Sequence, residues 1–246
     1  MKRHPAAAAP CRAAHDMAHD NLLLANLPAS VREHLVSRTE AVQLRRGQSL
    51  CDAGEPVRHL YFLTSGLVSL LGVTASGGLI ELATVTNEGV VGLPIVLSHR
   101  IAPYRASVQI AGTALRLRAD AAVAELAPGT EFRDALHAYA TELLADIAKT
   151  VTCVAFHDAL QRVCRWLLTA SDRLGSNTVD VTQETLALSL GVVRQVVSRA
   201  MVELQDANAI RSRYGRIVIV NRALLKRSSC ECYTGSSVAH DNRSSL

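Results

Sequence analysis

The spacing of apolar residues changes several times along the chain and divides it into segments. Residues 1–20 are rich in alanine, proline and histidine and show no periodicity, so we expect a disordered N-terminus. The next segment, NLLLANLPASVREHLVSR, predicts a short helix. Its apolar face consists of Leu22, Leu23, Leu27, Val31 and Leu35.

From Val42 to Arg118 the chain carries short apolar runs that are typical of β-strands. The runs are separated by glycines and read HLYFL, GLVSLLGV, LIELATV, ASVQIAG and ALRLR. Short strands at close spacing, punctuated by turn residues, predict an antiparallel sandwich or barrel such as a jelly roll. We assign this barrel to residues 21–128 and predict an α+β fold, because the pattern of the later segments is helical.

A long helix is predicted after Pro128-Gly129, over residues 129–156. Its small and aliphatic residues follow the 4-3-4-3-4 spacing of a coiled-coil seam, at Leu136, Ala140, Leu143, Ile147, Thr150 and Val154. A helix packed on its own barrel would show the same residues. We favour a seam between two copies of the chain, because a helix of roughly 35 to 40 Å is longer than a small barrel needs as cover.

Residues 157–227 predict a pair of helices followed by a hairpin. This region begins with a helix in DALQRVCRWLLTASDRLG, which ends at Gly175 and precedes the pair. Thr182 is the predicted N-cap of the first helix of the pair, and Gly191 its terminator. The second helix has an inward apolar stripe of Val197, Ala200, Met201 and Leu204. Its outward face carries Arg194, Gln195, Ser198 and Arg199.

The hairpin is predicted in NAIRSRYGRIVIVN, with its turn at Tyr214-Gly215. Three arginines line it, at Arg211, Arg213 and Arg216, and suit contacts with phosphate groups. Two helices joined by a tight glycine turn and followed by a basic hairpin are typical of a winged helix-turn-helix. The second helix of such a domain lies in the major groove of DNA.

Charge is concentrated in this same region. The chain has a net charge of +4. Between Gly191 and Arg227 eight basic residues stand against Glu203 and Asp206, a local charge of +6, so the remainder of the chain carries −2. A basic block at one end of a slightly acidic protein indicates a polyanionic partner at that end.

The cysteines and carboxylates do not form a recognisable reactive site in the sequence. Six cysteines are scattered without a C-x-x-C motif, so we predict no metal site and no disulfide framework. Cys230 and Cys232 could bind a metal or respond to oxidants, but we interpret them as reduced thiols in a disordered tail over residues 228–246. Glu81, Glu88 and Asp120 are interpreted as isolated carboxylates at turns or on solvated faces.

The sequence does not support an enzymatic function or a membrane-spanning one. The sequence has no nucleophile–base–acid set and no phosphate-binding Gly-x-x-x-x-Gly-Lys loop, so we expect no enzyme, and we identify no cofactor. No apolar run approaches the roughly 18 to 20 residues that span a bilayer. The N-terminus also lacks the apolar centre of a secretory signal. We therefore expect a cytoplasmic protein.

The order of these parts, together with four motifs, resembles one family. Gly47, Leu50, Gly54 and Glu55 form G-x-x-L-x-x-x-G-E, and Tyr61 to Val68 read Y-F-L-x-x-G-x-V. The other two are T-x-x-x-L-A-x-x-L-G-V, from Thr182 to Val192, and R-Q-V-V-S-R, from Arg194 to Arg199. They resemble the cyclic-AMP receptor protein and fumarate-nitrate regulator family of bacterial transcription factors. The resemblance implies a homodimer that binds double-stranded DNA under the control of an effector in the barrel, with RNA polymerase as a candidate partner.

The resemblance also assigns roles to residues of the helix pair. It implies that Arg194, Gln195, Ser198 and Arg199 read bases or contact the DNA backbone, with further contacts from Thr182 and the hairpin arginines. Gln195 stands where the family often has glutamate, which implies a different base preference. Val193 stands where the family commonly has serine or threonine and cannot cap the helix.

In the barrel the resemblance predicts an altered pocket. The family's Gly-Glu turn, which binds ribose, corresponds here to Gly92-Leu93, and its Arg-Ser pair, which binds phosphate, to Arg105-Ala106. Leu93 cannot accept a hydrogen bond and Ala106 has no hydroxyl group, so we do not expect cyclic AMP as the effector. Arg105 either holds another anion or pairs with a neighbouring carboxylate.

An alternative function is consistent with the same predicted barrel and C-terminal region. The chain would then be a ligand-binding signalling module that acts through a protein partner instead of DNA. The local charge of +6 and the arginines on both helix and hairpin argue against it. The sequence assigns neither an effector nor a target site, and it does not choose between activation and repression.

Overall fold

The computed structural model describes residues 14–97 and 99–234. Three short helices precede the barrel: α1 (Ala14–Ala18), α2 (Leu22–Ala25) and α3 (Ala29–Ser37). The predicted single helix is thus two helices, which are separated at Pro28 because proline lacks the N–H that would continue α2. Residues 1–13 of the predicted disordered N-terminus lie outside the described residues. The prediction was wrong for α1, whose Met17 is buried against the barrel core.

Two four-stranded antiparallel sheets form the barrel and confirm the predicted β architecture. Its strands are β1 (Glu40–Leu44), β2 (Ser49–Cys51), β3 (His59–Leu63), β4 (Leu67–Val73), β5 (Leu79–Val85), β6 (Val90–Val91), β7 (Arg105–Ile110) and β8 (Gly112–Arg118). One sheet has the order β1-β8-β3-β6 and the other β2-β7-β4-β5. Apolar side chains from both sheets, such as Phe62 and Val108, fill the space between them.

One glycine in this barrel is required by its surroundings. Gly66 turns the chain between β3 and β4 with a φ of +86°. A Cβ at this position would lie 2.7 Å from the carbonyl oxygen of Ile110, so neither the backbone conformation nor the space admits another residue.

A long helix leaves the barrel after the short helix α4 (Ala119–Ala124). This helix, α5 (Glu131–Phe156), has 26 residues, and the hydroxyl of Thr130 accepts a hydrogen bond from the backbone N–H of Arg133 at its start. The predicted helix is confirmed.

Two residues of the predicted dimer seam are covered within the chain itself. Leu136 is 0% exposed and Leu143 is 8% exposed, because both pack into the core of the chain's own barrel. Ala140 and Ile147 pack on the same core and are half-buried, as are Thr150 and Val154. The stripe marked by the 4-3-4-3-4 spacing is therefore largely an intramolecular face.

A second stripe lies about 100° around α5 from the first, one residue further along. It has the same spacing and consists of Thr141, Leu144, Ala148, Val151 and Ala155. Leu144 is 65% exposed and Val151 60%, and Phe156 beside them is 80% exposed. An apolar helix face of this length is normally covered by a partner.

The C-terminal half contains the predicted winged helix-turn-helix. Its elements are α6 (Ala159–Leu174), β9 (Thr178–Val179), α7 (Gln183–Leu190), α8 (Arg194–Asp206), β10 (Ile210–Arg213), β11 (Arg216–Ile219) and α9 (Arg222–Arg227). The strands form an antiparallel sheet of order β10-β11-β9. Asp158 and Gln161 form a capping box at the start of α6, and Gly175 ends it with a φ of +59°, as predicted.

The tail after α9 contradicts the prediction of disorder. Residues 235–246 lie outside the described part of the chain, but residues 228–234 pack against α6. The Tyr233 hydroxyl donates to Asp172 at 2.8 Å and accepts from Arg222 at 2.9 Å. Cys230 is buried beside them. These contacts hold the described part of the tail on the domain.

In the described residues, no single helix is long and apolar enough to cross a membrane. Only α7 and α8 taken together pass on length and composition, and this pair is bent by 115°.

Candidate nucleic-acid interface

The geometry of α7 and α8 follows from local signals. The Thr182 hydroxyl accepts from the backbone N–H of Thr185 at 3.1 Å, which makes it the predicted N-cap of α7. Gly191 ends α7 with a φ of +61°, the left-handed conformation that favours glycine. The bend of 115° between the helices lies in the range of helix-turn-helix motifs.

The inward stripe of α8 is confirmed. Val197, Ala200, Met201 and Leu204 are all buried in the core of this domain. Burial of this stripe fixes the rotation of α8 about its axis. As a result Arg194, Gln195 and Arg199 point outward and are exposed.

Ser198 is held inside the motif. Its hydroxyl donates to the side-chain oxygen of Gln183 at 2.7 Å, and the residue is half-buried. It therefore joins α8 to α7 instead of standing free on the outer face as predicted. Gln183 was not identified from the sequence, since the pairing depends on the angle between the helices.

The start of α8 has no side-chain cap. Val193 has the extended φ and ψ of an N-cap, −72° and 148°, but makes no capping hydrogen bond. Arg194 lies near the carboxylate of Glu184 at 4.0 Å, and both side chains are exposed. Such a pair contributes little to stability and leaves the guanidinium accessible.

The hairpin formed by β10 and β11 is the predicted wing. Tyr214 and Gly215 form its turn with φ values of +51° and +74°, as a two-residue hairpin of type I′ requires. Ile210 and Ser212 oppose Ile219 and Ile217 on the inner face. The three arginines alternate with them on the outer face.

The arginines on the outer face of the wing differ in whether they have a partner within the protein. Arg211 and Arg213 are exposed, and the guanidinium of Arg213 lies 5.0 Å from the ring centre of Tyr214. Arg216 donates to both carboxylate oxygens of Asp180, at 2.6 and 3.4 Å. This hydrogen bond lowers the pKa of Asp180. Arg216 therefore has an internal partner that the sequence analysis did not identify.

In the barrel, the residues of the predicted effector pocket have separate roles. Gly92 has a φ of +112°, and Leu93 begins a 3-10 turn with its side chain in the barrel core. Ala106 is buried on β7. Arg105 donates to Asp52 at 2.6 Å, the second of the two alternatives left open for it.

Buried polar contacts join the barrel to the C-terminal domain. The Glu81 carboxylate on β5 is 7% exposed and accepts from the Trp166 indole N–H at 2.8 Å and from the Ser189 hydroxyl at 3.0 Å. The interpretation of Glu81 as a solvated carboxylate was therefore wrong. A Cβ on Gly191 would lie 3.0 Å from Ile80, so the turn of the helix pair rests directly on β5.

A second contact between the domains is ionic. Arg173 on α6 pairs with Asp146 on α5 and with Glu88, and it also donates to the carbonyl oxygen of Thr84 at 2.6 Å. Glu88 is thus an ion-pair partner at the interface. Asp120 alone matches its interpretation, since it is exposed and pairs with Arg118.

Comparisons with known proteins match both halves of the chain. Residues 41–127 match the model of the cyclic nucleotide-binding domain, and residues 161–228 match that of the Crp-like helix-turn-helix domain. The transcriptional regulator LdrP of Thermus thermophilus is 28% identical over 207 residues, which covers 78% of this chain and 94% of LdrP.

Solved structures show the same fold. FixK2 of Bradyrhizobium japonicum has a TM-score of 0.69 at 19% identity, covering 78% of this chain and 98% of FixK2. The c-di-GMP responsive global regulator CLP of Xanthomonas campestris has a TM-score of 0.66 at 16% identity, covering 78% of this chain and 99% of CLP.

A barrel of the cyclic nucleotide-binding type, a long helix and a Crp-like helix-turn-helix define a DNA-binding transcription regulator. The chain belongs to the cyclic-AMP receptor protein and fumarate-nitrate regulator family.

Proposed function

We propose that the protein binds DNA as a two-fold dimer whose α8 helices read two half-sites in the major groove. The observation that carries this proposal is the outward display of Arg194, Gln195 and Arg199 above the buried stripe of α8. Two such helices must match half-sites about 34 Å apart on one side of the duplex.

Each exposed residue has a distinct role in this proposal. Arg194 and Arg199 can donate to the O6 and N7 acceptors of guanine, and Gln195 can pair with adenine in the same way. Each such pair contributes on the order of 1 to 3 kcal/mol of base discrimination. Ser198 orients α8 through Gln183. Thr182, Arg211 and Arg213 contact phosphates, and Arg216 does so when its pairing with Asp180 opens.

The dimer contact in this proposal is the exposed stripe of α5. Leu144 and Val151 project from it, and alanines and threonines between them allow two helices to approach closely. The partner then covers the face that the barrel leaves open.

An effector other than cyclic AMP controls DNA affinity in this proposal. Arg105 is engaged by Asp52, and neither Leu93 nor Ala106 offers a hydrogen bond to a nucleotide. A change in the barrel reaches the helix pair through β5, because Glu81 and Ile80 contact α6, α7 and the turn that follows α7.

Base reading is tested by fluorescence anisotropy with a pool of promoter fragments at several salt concentrations. Arg199→Ala is expected to weaken binding to the selected site far more than binding to random DNA. Arg45→Ala removes one exposed cation from the barrel and serves as the matched control. Binding that is insensitive to salt and survives the double change Arg194→Ala and Arg199→Ala would refute the proposal.

The effector is sought by thermal unfolding in the presence of cyclic AMP, cyclic GMP, c-di-GMP and small anions. We expect no stabilisation by cyclic AMP, because the ribose and phosphate lack partners. A rise in melting temperature with cyclic AMP would overturn this part of the proposal.

A further inference from the structure

Four side chains of metal-ligand type meet where α5 ends and the tail returns. Cys153 lies on the last turn of α5, and His157 is the C-cap of this helix, four residues later. Cys230 and Cys232 lie on either side of Glu231 in the tail. One ligand atom from each of the four side chains lies within 4.8 Å of all the others.

The distances within this cluster match those around one tetrahedral ion. The sulfur atoms of Cys153 and Cys230 are 3.5 Å apart, and the Cys232 sulfur is 3.6 Å from Nδ1 of His157. Zinc bonds of about 2.3 Å to sulfur and about 2.0 Å to nitrogen imply edges of about 3.8 and 3.6 Å in a tetrahedron. An ion at the centre would require only small side-chain shifts.

The histidine is oriented for coordination. Its Nε2 lies 3.1 Å from the carboxylate of Glu231. When Nε2 carries the proton and donates to Glu231, the lone pair of Nδ1 is free on the side of the cysteines. A carboxylate behind a coordinating histidine is the usual arrangement in zinc sites.

Two positively charged side chains of α6 lie near the cysteines. Arg165 and Arg162 on α6 act electrostatically on the cysteines, Arg165 on Cys153 and Cys232 and Arg162 on Cys153 and Cys230. Nε of Arg165 is buried, and no group in the described residues forms a hydrogen bond with it. Three thiolates and one divalent cation carry a net charge of −1, which these guanidinium groups would offset.

Contacts within the tail and with α6 hold the cluster in place. The backbone N–H of Tyr233 donates to the Cys230 carbonyl at 3.0 Å and closes a turn around Cys232. Tyr233 is itself held by Asp172 and Arg222. Cys153 and Cys230 are buried, so the site excludes most of the solvent.

We propose that Cys153, His157, Cys230 and Cys232 form a Cys₃His site for one Zn²⁺ ion. Thiolates with one imidazole in a tetrahedral arrangement favour zinc over harder divalent cations. The ion would join the end of α5 to the C-terminal end of the DNA-binding domain. It thereby fastens the segment between α5 and α6 to the tail.

The test is metal analysis of the full-length chain, purified with reductant and dialysed against Zn²⁺. We expect one zinc per chain, and tetrahedral thiolate absorption when Co²⁺ replaces it. Cys232→Ser is expected to lose bound zinc, while Cys51→Ser in the barrel retains it. Circular dichroism establishes that both variants are folded.

Two further measurements distinguish a built site from chance proximity. Glu231→Ala is expected to weaken Zn²⁺ binding by about 10-fold or more, as for other residues that orient a ligand. Removal of zinc by a chelator is expected to lower the melting temperature of the wild type but not that of Cys232→Ser. A reduced wild type without zinc after dialysis, or zinc retained at full stoichiometry by Cys232→Ser, would overturn the proposal.

Discussion

Val193 stands at the N-cap of α8 with the backbone that a cap requires and a side chain that cannot accept a hydrogen bond. Two consequences follow for the recognition helix. The backbone N–H groups at its start receive no side-chain acceptor from the cap. Its first turn, which carries Arg194 and Gln195, is therefore less firmly held than the rest of the helix.

We predict that Val193→Ser stabilises the protein by about 1 kcal/mol, because serine supplies the missing acceptor. Urea unfolding followed by circular dichroism measures the change. Val202→Ser is the matched control, since Val202 is exposed in the middle of α8. Equal effects of the two substitutions would contradict the capping explanation.

Glu81 is the residue whose environment departs furthest from its sequence interpretation. Burial raises its pKa, although hydrogen bonds from Ser69, Trp166 and Ser189 oppose the shift. A carboxyl group with a raised pKa binds its proton more tightly in the folded state. Its contribution to stability is therefore present at low pH and lost as the pH rises.

We predict that Glu81→Gln changes the pH dependence of stability. As the pH rises above the ordinary glutamate pKa of 4.5, the free energy of unfolding of the wild type should fall relative to that of the variant. Denaturant titrations at several pH values measure this difference. A difference that does not change with pH would show that the Glu81 carboxyl titrates normally.

At the scale of single elements, some properties of α5 could be predicted from the sequence and others could not. Its existence and length follow from the apolar periodicity that begins after Pro128-Gly129. The dimer face cannot be chosen from the periodicity, because two stripes one residue apart share the same spacing. Which of them faces the barrel depends on where the two sheets place their core.

We predict that Leu144→Glu dissociates the dimer without unfolding the chain, because Leu144 is exposed in the single chain. Leu136→Ala should have the opposite effect: it should lower stability by about 2 to 5 kcal/mol, as expected for a buried leucine, and leave the dimer intact. Analytical ultracentrifugation and urea unfolding of both variants measure these outcomes. If Leu136→Ala dissociates the dimer and Leu144→Glu does not, the dimer contact is the seam predicted from the sequence.

Other elements were predictable to different degrees. The helix pair and wing were predicted because their caps, stripe and turn are local features. The order of the tail was not, since it depends on Tyr233 meeting Asp172, 61 residues away in sequence. The internal partners of Ser198 and Arg216 were missed for the same reason.

At the scale of the whole molecule, the two domains share an interface built from polar groups as well as apolar ones. Glu81 accepts hydrogen bonds both from within the barrel, through Ser69, and from the other domain, through Trp166 and Ser189. Loss of the contacts across the interface leaves a buried carboxylate with fewer donors. The domains are thereby coupled in stability.

We predict that Trp166→Phe uncouples the domains, because phenylalanine fills much of the same space but cannot donate to Glu81. Scanning calorimetry should show the two domains melting at more widely separated temperatures than in the wild type. Ser69→Ala removes a donor to the same carboxylate within the barrel and is the control. If the two melting temperatures separate equally in both variants, the effect arises within the barrel and not at the interface.

Trp166 has one more consequence, because it is the single tryptophan of the chain and is buried at this interface. Its intrinsic fluorescence therefore reports on the contact between barrel and DNA-binding domain without any label. An effector that separates the domains would expose the indole to water and shift its emission to longer wavelength, so ligands can be screened on the unmodified protein.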